Sequence, residues 1–326
     1  MTVEIVQTDP LYRIPPVEQT GGILLSEIAS ATDYALHSKA ESSRRAYRSD
    51  WQIFTAWAKE RNLCSLPASI ETVAAFLASQ ADSGFKPSTL NRRMAAIRYA
   101  HLLEGHQSPT DDEKVRSVLR GIRREKGVAP DKKSPALAEI VISMVSHCPD
   151  TIKGKRDRAL LLIGFAGAFR VSELVDLEIR DIEFKERGLS IRIRRSKTDP
   201  ESKGQEIAIV PGRHACPVEA LKTWIEASNI KEGKIFRSIR KNGIIGGDIS
   251  TKGATFIVKK YASMSGLDAS CYSPHSLRAG LATSAAERGA NIFKIMEVTR
   301  HRSVETLKGY VRSTELFQDH AAEGLL

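Results

Sequence analysis

The chain has 326 residues, of which 41% are hydrophobic and 27% charged, and its formal net charge is +10 with an isoelectric point near 9.4. This composition excludes a disordered or fibrous protein, and the length favours two domains. The basic residues form short clusters along the whole chain. They permit a polyanionic partner such as nucleic acid without requiring one.

Three other classes of protein also fit poorly. The longest apolar run, Ala159 to Phe169, is shorter than the roughly 20 residues that a membrane-spanning helix needs. The first 22 residues have neither the basic nor the apolar part of a secretory signal. The cysteines lack metal-ligand spacing, so we expect reduced thiols, no metal and no cofactor. A cytoplasmic or nucleoid-associated protein is the expectation.

In the first part of the chain the pattern is helical. Residues 1–20 contain three prolines and no periodicity, which indicates a flexible arm. In residues 21–126, apolar residues recur at three- and four-residue steps and predict four or five helices, with Ser69 and Ser88 as candidate N-caps. These helical patterns cover Ile23–Leu36, Tyr47–Trp57, Val73–Leu77, Leu90–Leu103 and Val115–Ile122. Residues 127–135, charged and broken by two prolines, are typical of an interdomain linker.

Residues 136–326 form the second predicted domain. Between Val175 and Val210, the segments DLEIRDIEF, LSIRIRR and QEIAIV alternate apolar and polar residues, which predicts a three-stranded antiparallel sheet. Helical patterns surround it at Leu137–Cys148, Lys155–Phe169, Val218–Ala227, Thr251–Met264, Pro274–Glu287, Asn291–Thr299 and 303–315. The predicted fold is mainly α: a helical N-terminal domain and a mostly helical α+β domain with a small antiparallel sheet.

Two polar pairs have i, i+3 spacing, which places both members on one face of a helix. Arg170 and Glu173 lie in AGAFRVSEL, at the end of a strongly apolar run. His275 and Arg278 lie in SPHSLRAG, where Ser273-Pro274 suits a helix start that favours an anion. By itself the first pair is more often a structural ion pair, and a histidine near a helix start is more often a cap.

Three further residues complete an ordered set. Lys197 lies in a polar turn between two predicted strands, and His301 lies nine residues before Tyr310. The set resembles the catalytic signature of the tyrosine recombinase, or phage integrase, family and is most similar to its Cre-like members, from roughly residue 25 to the end. Its members are Arg170, Glu173, Lys197, His275, Arg278, His301 and Tyr310.

The resemblance implies a fold and a reaction. The fold is a SAM-like helical core-binding domain and a catalytic domain, which close as a clamp around duplex DNA. Tyr310 would attack a phosphodiester to give a 3′-phosphotyrosine and release a 5′-hydroxyl. Arg170 and Arg278 would stabilise the negative charge on the phosphate, and Lys197 would protonate the leaving oxygen.

The remaining members have supporting roles by the same resemblance. His275 would assist proton transfer at the nucleophile, His301 would bind a phosphate oxygen, and Glu173 would hold the first arginine and histidine in place. Two positions depart from the family pattern. Many members have Gly before the His301 position, where this chain has Arg300, and Gly-Leu before the first arginine, where it has Ala168-Phe169. These changes affect packing more than charge.

The resemblance also suggests which residues bind DNA. In the N-terminal domain, two helix starts would face the major groove, and Arg92 is a candidate for a guanine edge. The segments RGIRREKG and IFRSIRKNG resemble DNA-contacting segments of the Cre-like group. The full candidate set is Ser43, Arg44, Arg45, Arg48, Ser88, Thr89, Arg92, Arg93, Arg120, Arg123, Arg124, Arg156, Arg237, Arg240, Lys241 and Lys252. For each of them a solvated charged face is the competing interpretation.

The expected partners are double-stranded DNA with inverted-repeat sites and other copies of the chain. A weak apolar stripe follows Tyr310, formed by Leu316, Phe317, Ala321 and Leu325. In Cre-like recombinases the terminal helix docks on a neighbouring protomer, so we expect a tetramer on two DNA sites. Two alternatives stay open: a type IB topoisomerase, which uses similar groups to relax supercoils, and a catalytically silent DNA-binding or accessory protein.

Overall fold

The computed structural model describes residues 39–128, 133–194, 204–301 and 303–305. These residues fall into two compact units, one on either side of the gap at 129–132. Several predictions lie outside the described residues: the arm at 1–20, the helix at Ile23–Leu36, Lys197, Tyr310 and the terminal apolar stripe.

In its described part, the N-terminal unit is a bundle of four α-helices: α1 (Glu41–Lys59), α2 (Ile70–Asp82), α3 (Pro87–Leu103) and α4 (Glu113–Lys126). The rings of Phe54 and Phe76, both fully buried, pack 5.0 Å apart at its centre. Ser69 caps α2 as predicted, because its Oγ accepts the N–H of Thr72 at 3.1 Å. The prediction for Ser88 was wrong: α3 begins at Pro87, which suits the first helical position, and Lys86 is its N-cap.

The second unit contains seven described α-helices and two small sheets. The helices are α5 (Ala138–Ser146), α6 (Ile152–Ala166), α7 (Val171–Asp176), α8 (Pro217–Ser228), α9 (Thr251–Met264), α10 (Pro274–Glu287) and α11 (Ile292–Thr299), together with short 3-10 turns at Ile179–Asp181 and Ala269–Cys271. The strands are β1 (Ile182–Lys185), β2 (Gly188–Ile193), β3 (Gln205–Ile209), β4 (Arg237–Ile239) and β5 (Ile245–Asp248).

The predicted three-stranded antiparallel sheet is present in the order β1-β2-β3, with Ile191 opposite both Ile182 and Ile207. Its first strand is shorter than the alternation suggests. Asp181 accepts the backbone N–H of Glu178 at 2.9 Å and so stabilises a 3-10 turn before β1. The hairpin of β4 and β5 was not predicted, since its strands have only three and four residues and the second contains two glycines.

Helix α6 runs through the core of the second unit and packs against α8 and α10. Leu160, Leu161 and Ile163 are fully buried, and so are Trp224 and Leu277 from the two neighbouring helices. Helix α10 approaches the backbone closely at Gly280, where a Cβ would overlap the carbonyl oxygen of Ala136. This packing fixes the N-terminal end of α10, which carries His275 and Arg278, beside the C-terminal end of α6. Among the described helices, none combines the length and apolar character needed to cross a membrane.

Candidate active site

Arg170 and Glu173 are held together at the start of α7. Arg170 is the N-cap residue with extended backbone, so the prediction that the pair lies on one helix face was wrong. The turn at Gly167 and Ala168 ends α6 and places Arg170 just outside the next helix. Glu173 Oε2 accepts the backbone N–H of Arg170 at 3.0 Å, and Oε1 accepts Nη1 of the same residue at 2.7 Å. One buried carboxylate therefore orients both the backbone and the guanidinium of Arg170.

Arg278 extends from the second turn of α10 into the same region. The helix starts as predicted, with Ser273 as N-cap, and the backbone N–H of Ser273 donates to Ser276 Oγ at 3.0 Å. The side chain of Arg278 is buried, and its Nη1 donates to the carbonyl oxygen of Ala168 at 2.7 Å. Ala168 lies two residues before Arg170, so the same turn positions both arginines.

His275 and His301 belong to this cluster through their electrostatics. The surrounding protein lowers the pKa of His275, and the positive charges of Arg278 and Arg170 lower it further. Burial lowers the pKa of His301 to about 4, with additional contributions from Arg278, Arg170, His275 and Arg300. Both histidines are therefore neutral at neutral pH in the free protein, and both lie close enough to Arg170 and Arg278 for the arginine charges to lower their pKa.

The tautomer of His301 follows from its partner. Thr299 Oγ1 lies 2.6 Å from the carbonyl oxygen of Ile295, an acceptor only, so the hydroxyl donates its one proton there. Thr299 Oγ1 then accepts from Nδ1–H of His301, at 2.9 Å. The proton of neutral His301 is on Nδ1, and protonation adds a donor at Nε2.

Arg300 is a part of the cluster that sequence reasoning missed. Its side chain is buried and its Nη2 lies 2.9 Å from Glu173 Oε2. The one signal in the sequence was its departure from the glycine usual at that position. Lys197 and Tyr310 lie outside the described residues, Lys197 in the connection between β2 and β3. No group of three or more metal-ligating side chains occurs within the described ranges.

The DNA-contact candidates of the N-terminal unit lie at two helix starts, as expected. Ser43, Arg44, Arg45 and Arg48 lie in the first two turns of α1, and Ser88, Thr89, Arg92 and Arg93 lie in those of α3. A buried carboxylate joins the two helices: Asp50 accepts from Nε of Arg92 at 2.7 Å and from Nη2 at 3.1 Å. Arg92 remains 51% exposed.

Arg93 differs from its neighbour. Its side chain is buried beside Asp50, bonded to Gln80, with its guanidinium 4.1 Å from the centre of the Phe85 ring. On α4, Arg120 pairs with Glu113, Arg123 donates to Asn91 Oδ1 at 2.8 Å, and Arg124 is exposed. Arg92 is thus available to a ligand, whereas Arg93 stabilises the interior.

The candidates of the second unit divide in the same way. Arg156 is buried against Asp157, which also accepts from the hydroxyl of Tyr261 at 3.0 Å. Arg237 is half-buried, and its Nε donates to the carbonyl oxygen of Lys234 at 2.7 Å. The remaining three side chains of the set are exposed: Arg240, Lys241 and Lys252.

Comparison with known proteins gives consistent results. Residues 138–316 match the model of the phage integrase family, and residues 33–102 match that of the phage integrase N-terminal SAM-like domain. The chain is 38% identical over 291 residues to an integrase/recombinase XerD homologue of Selenomonas ruminantium, covering 87% of this chain and 85% of that protein. It is 26% identical over 283 residues to the Cre recombinase of Escherichia phage P1, covering 80% and 81%.

Solved structures resemble the fold. The XerH site-specific recombinase, in a post-cleavage complex with palindromic difH substrate, aligns with a TM-score of 0.58 at 17% identity, covering 79% of this chain and 72% of that one. A lambda integrase dimer bound to a COC′ core site aligns with a TM-score of 0.57 at 17% identity, covering 90% and 95%. The predicted combination of a SAM-like helical domain and a mostly helical domain with small antiparallel sheets is confirmed.

Proposed function

The chain belongs to the phage integrase family of tyrosine recombinases, enzymes of site-specific DNA recombination, and we propose that it cuts and rejoins DNA through a covalent bond between Tyr310 and a 3′ phosphate. One observation carries the proposal. The Gly167–Glu173 segment holds both Arg170 and Arg278, and two histidines lie near enough for both arginines to lower their pKa.

The reaction is an in-line displacement at phosphorus. The oxygen of Tyr310 forms a bond to phosphorus as the bond to the 5′ oxygen breaks, and Lys197 gives a proton to that leaving oxygen. The two guanidinium groups stabilise the charge on the non-bridging oxygens. The phosphotyrosine bond conserves the energy of the diester, so the 5′-hydroxyl of another strand can reverse the step without ATP. Two such exchanges pass through a Holliday junction.

The histidines have roles that fit their environment. A bound phosphate adds negative charge beside His301 and favours its protonated form. Protonated His301 keeps Nδ1–H on Thr299 and can donate from Nε2 to a non-bridging oxygen. His275, on the first turn of α10, exchanges a proton with the hydroxyl of Tyr310. Glu173 holds Arg170 in place throughout.

The working unit is a protein clamp on duplex DNA. In this proposal residues 21–126 form the core-binding domain, 127–135 the linker and 136–326 the catalytic domain, with an arm at 1–20. Arg92 contacts a base edge through the donors that Asp50 does not use, and Arg240, Lys241 and Lys252 contact phosphates. We expect the protein to act on inverted-repeat sites in the cytoplasm.

Assembly as a tetramer on two sites is part of the proposal. A cavity of about 910 Å³ in the second unit is lined largely by apolar side chains, among them Val141, Leu162, Phe165 and Ile295. A helix with the terminal stripe of Leu316, Phe317, Ala321 and Leu325 has the chemistry to fill it. Donation of that helix by a neighbouring protomer would make activity depend on assembly.

A nicked suicide duplex tests the function. The target site is first identified by sequencing the DNA that becomes covalently attached to the protein. Wild-type protein is expected to form a covalent complex with the duplex, and Tyr310→Phe none. Absence of the complex with wild type would support a silent DNA-binding protein, and its presence with Tyr310→Phe would refute the nucleophile. Relaxation of plasmids without a site, and no strand exchange, would support a topoisomerase.

A further inference from the structure

Arg300 has a backbone conformation that is unusual for its residue type. It follows the last residue of α11 as the C-cap, with φ 57° and ψ 40°, in the left-handed region. Glycine takes this conformation without strain and asparagine tolerates it, as at Asn229 after α8. The left-handed backbone does not favour arginine at this position, so the contacts of its side chain must account for its presence.

That side chain is bonded to the segment that precedes α7. Nη1 donates to the carbonyl oxygens of Gly167 and Val298 at 2.9 and 2.8 Å, and Nη2 donates to that of Ala168 at 2.9 Å. Nη2 also donates to Glu173 Oε2 at 2.9 Å. The side chain is 2% exposed, so water competes little for these bonds.

Two of these acceptors also hold the catalytic arginines. The carbonyl oxygen of Ala168 accepts Nη1 of Arg278 at 2.7 Å, and the carboxylate of Glu173 accepts both the backbone and the side chain of Arg170. The orientation of Arg170 and Arg278 therefore depends on where Ala168 and Glu173 lie. Arg300 is bonded to both.

We propose that Arg300 is a positioning residue of the active site, which locks the Gly167–Glu173 segment so that Arg170 and Arg278 face the same phosphate. This inference rests on the proposed function. Arg300 reaches the reacting phosphate only through Glu173 and the Ala168 carbonyl. The positive charge of Arg300 is also one of those that lower the pKa of His301 and so keep it neutral in the free enzyme.

The test compares substitutions at one position with a matched control. Arg300→Gly relieves the backbone and removes every bond of the side chain, Arg300→Met removes the charge but keeps much of the volume, and Arg300→Lys keeps the charge with a single donor atom. Asn229→Gly changes another left-handed helix C-cap, at φ 52°, in the exposed turn after α8. Each full-length variant is first checked for cooperative thermal unfolding above the assay temperature.

The main measurement is the single-turnover cleavage rate constant on the suicide duplex at saturating protein. We expect Arg300→Gly and Arg300→Met to lower it by roughly 100-fold, the loss that about 1 Å of misplacement causes. DNA affinity should stay within about threefold of wild type, since arginine charge at the surface is unchanged. Arg300→Lys should be intermediate, and Asn229→Gly should cleave like wild type.

A second measurement separates positioning from general stability. In Arg300→Met the loss of a nearby positive charge raises the pKa of His301, so the alkaline limb of the cleavage rate profile, where protonated His301 is lost, should move to higher pH. If folded Arg300→Gly or Arg300→Met cleaves like wild type with an unchanged pH profile, this inference is overturned and the proposed function stands. Absence of covalent complex with wild type would instead overturn the proposed function and this inference with it. If both of those variants fail to fold, wild-type cleavage by Arg300→Lys would overturn the inference.

Discussion

Two buried carboxylates, Asp50 in the N-terminal unit and Glu173 in the second, each hold a pair of arginines. In each pair one arginine is partly exposed, Arg92 at 51% and Arg170 at 21%, and the other is buried. Asp50 lies within α1 and bonds to side chains of α3, so it joins two helices. Glu173 bonds to the backbone as well as to side chains, so it fixes a turn.

The difference indicates what each cluster does. In the N-terminal unit Arg93 also has Gln80 and Phe85 as neighbours, and the carboxylate mainly sets the direction of Arg92. In the second unit the carboxylate, Arg300 and the Ala168 carbonyl depend on one another. We expect changes at the first cluster to alter DNA affinity and changes at the second to alter the rate of cleavage.

Glu173→Ala should have the largest effect. It leaves the guanidinium of Arg300 buried without a carboxylate, and removal of one partner of a buried pair costs about 3–5 kcal/mol of unfolding free energy. Covalent complex on the suicide duplex should fall below detection, because Arg170 loses its orientation. Urea unfolding measures the loss of unfolding free energy. A loss under about 1 kcal/mol would show that the cluster is not coupled in this way.

The double variant Glu173→Ala/Arg300→Met is the control for this prediction. It removes the buried charge that Glu173→Ala leaves unpaired, so part of the lost unfolding free energy should return. Cleavage should not return, since Arg170 still lacks its partner. Recovery of cleavage would mean that Glu173 acts only by neutralising Arg300.

Asp50→Asn should have a smaller and different effect. Arg93 keeps Gln80 and Phe85, so we expect a loss of about 1–3 kcal/mol in unfolding free energy. The dissociation constant for the DNA site should rise, while the cleavage rate constant at saturating protein stays near that of wild type. Glu41→Gln is the matched control on the same helix. It breaks an exposed pair with Arg45 and should change stability by less than about 1 kcal/mol.

Arg92→Lys tests base recognition directly. Lysine cannot bond bidentately to Asp50 and to guanine at once, so affinity should fall by about 1–3 kcal/mol and discrimination at one base pair should weaken. Lys252→Gln provides the contrast. An exposed phosphate contact should weaken binding to all sequences alike and lower the salt dependence by about one unit of slope. Fluorescence anisotropy on site variants at several salt concentrations measures both. If Arg92→Lys lowers affinity equally for every sequence, Arg92 contacts the DNA phosphate backbone and not a base.

The sequence predicted those parts of this comparison that depend on local signals. Helices α9 and α10 have the predicted bounds because their caps and apolar periodicity lie within the helix itself. Pairs distant in sequence were missed: Asp50 and Arg92 are 42 residues apart, and Glu173 and Arg300 are 127 apart. Burial of Arg93 and Arg156 was missed for the same reason, since an arginine that stabilises the interior looks like a basic surface residue. Lys197 and Tyr310 rest on family resemblance and remain predictions.

The smallest expected effect is a pH dependence with opposite signs for folding and for DNA binding. In the free protein the pKa of His301 is about 4, and that of His275 is also lowered. As pH falls below the ordinary histidine pKa of about 6.5, towards about 4 for His301, the unfolded chain binds more protons than the folded one, so stability falls. His101, buried in the N-terminal unit, also has a pKa lowered by burial, so it adds to the same loss of stability on acidification.

DNA reverses the sign because the phosphate favours protonated His301 and His275 against the repulsion of Arg278 and Arg170. Binding then takes up protons, and affinity for the site should increase as pH is lowered from 7.5 to about 5.5. Calorimetric titrations in buffers of different ionisation enthalpy measure the proton uptake. His301→Gln keeps a polar side chain but cannot titrate, so it should lose part of the uptake. Equal uptake in wild type and His301→Gln would show that His301 does not become protonated on the phosphate, and its proposed role would fail.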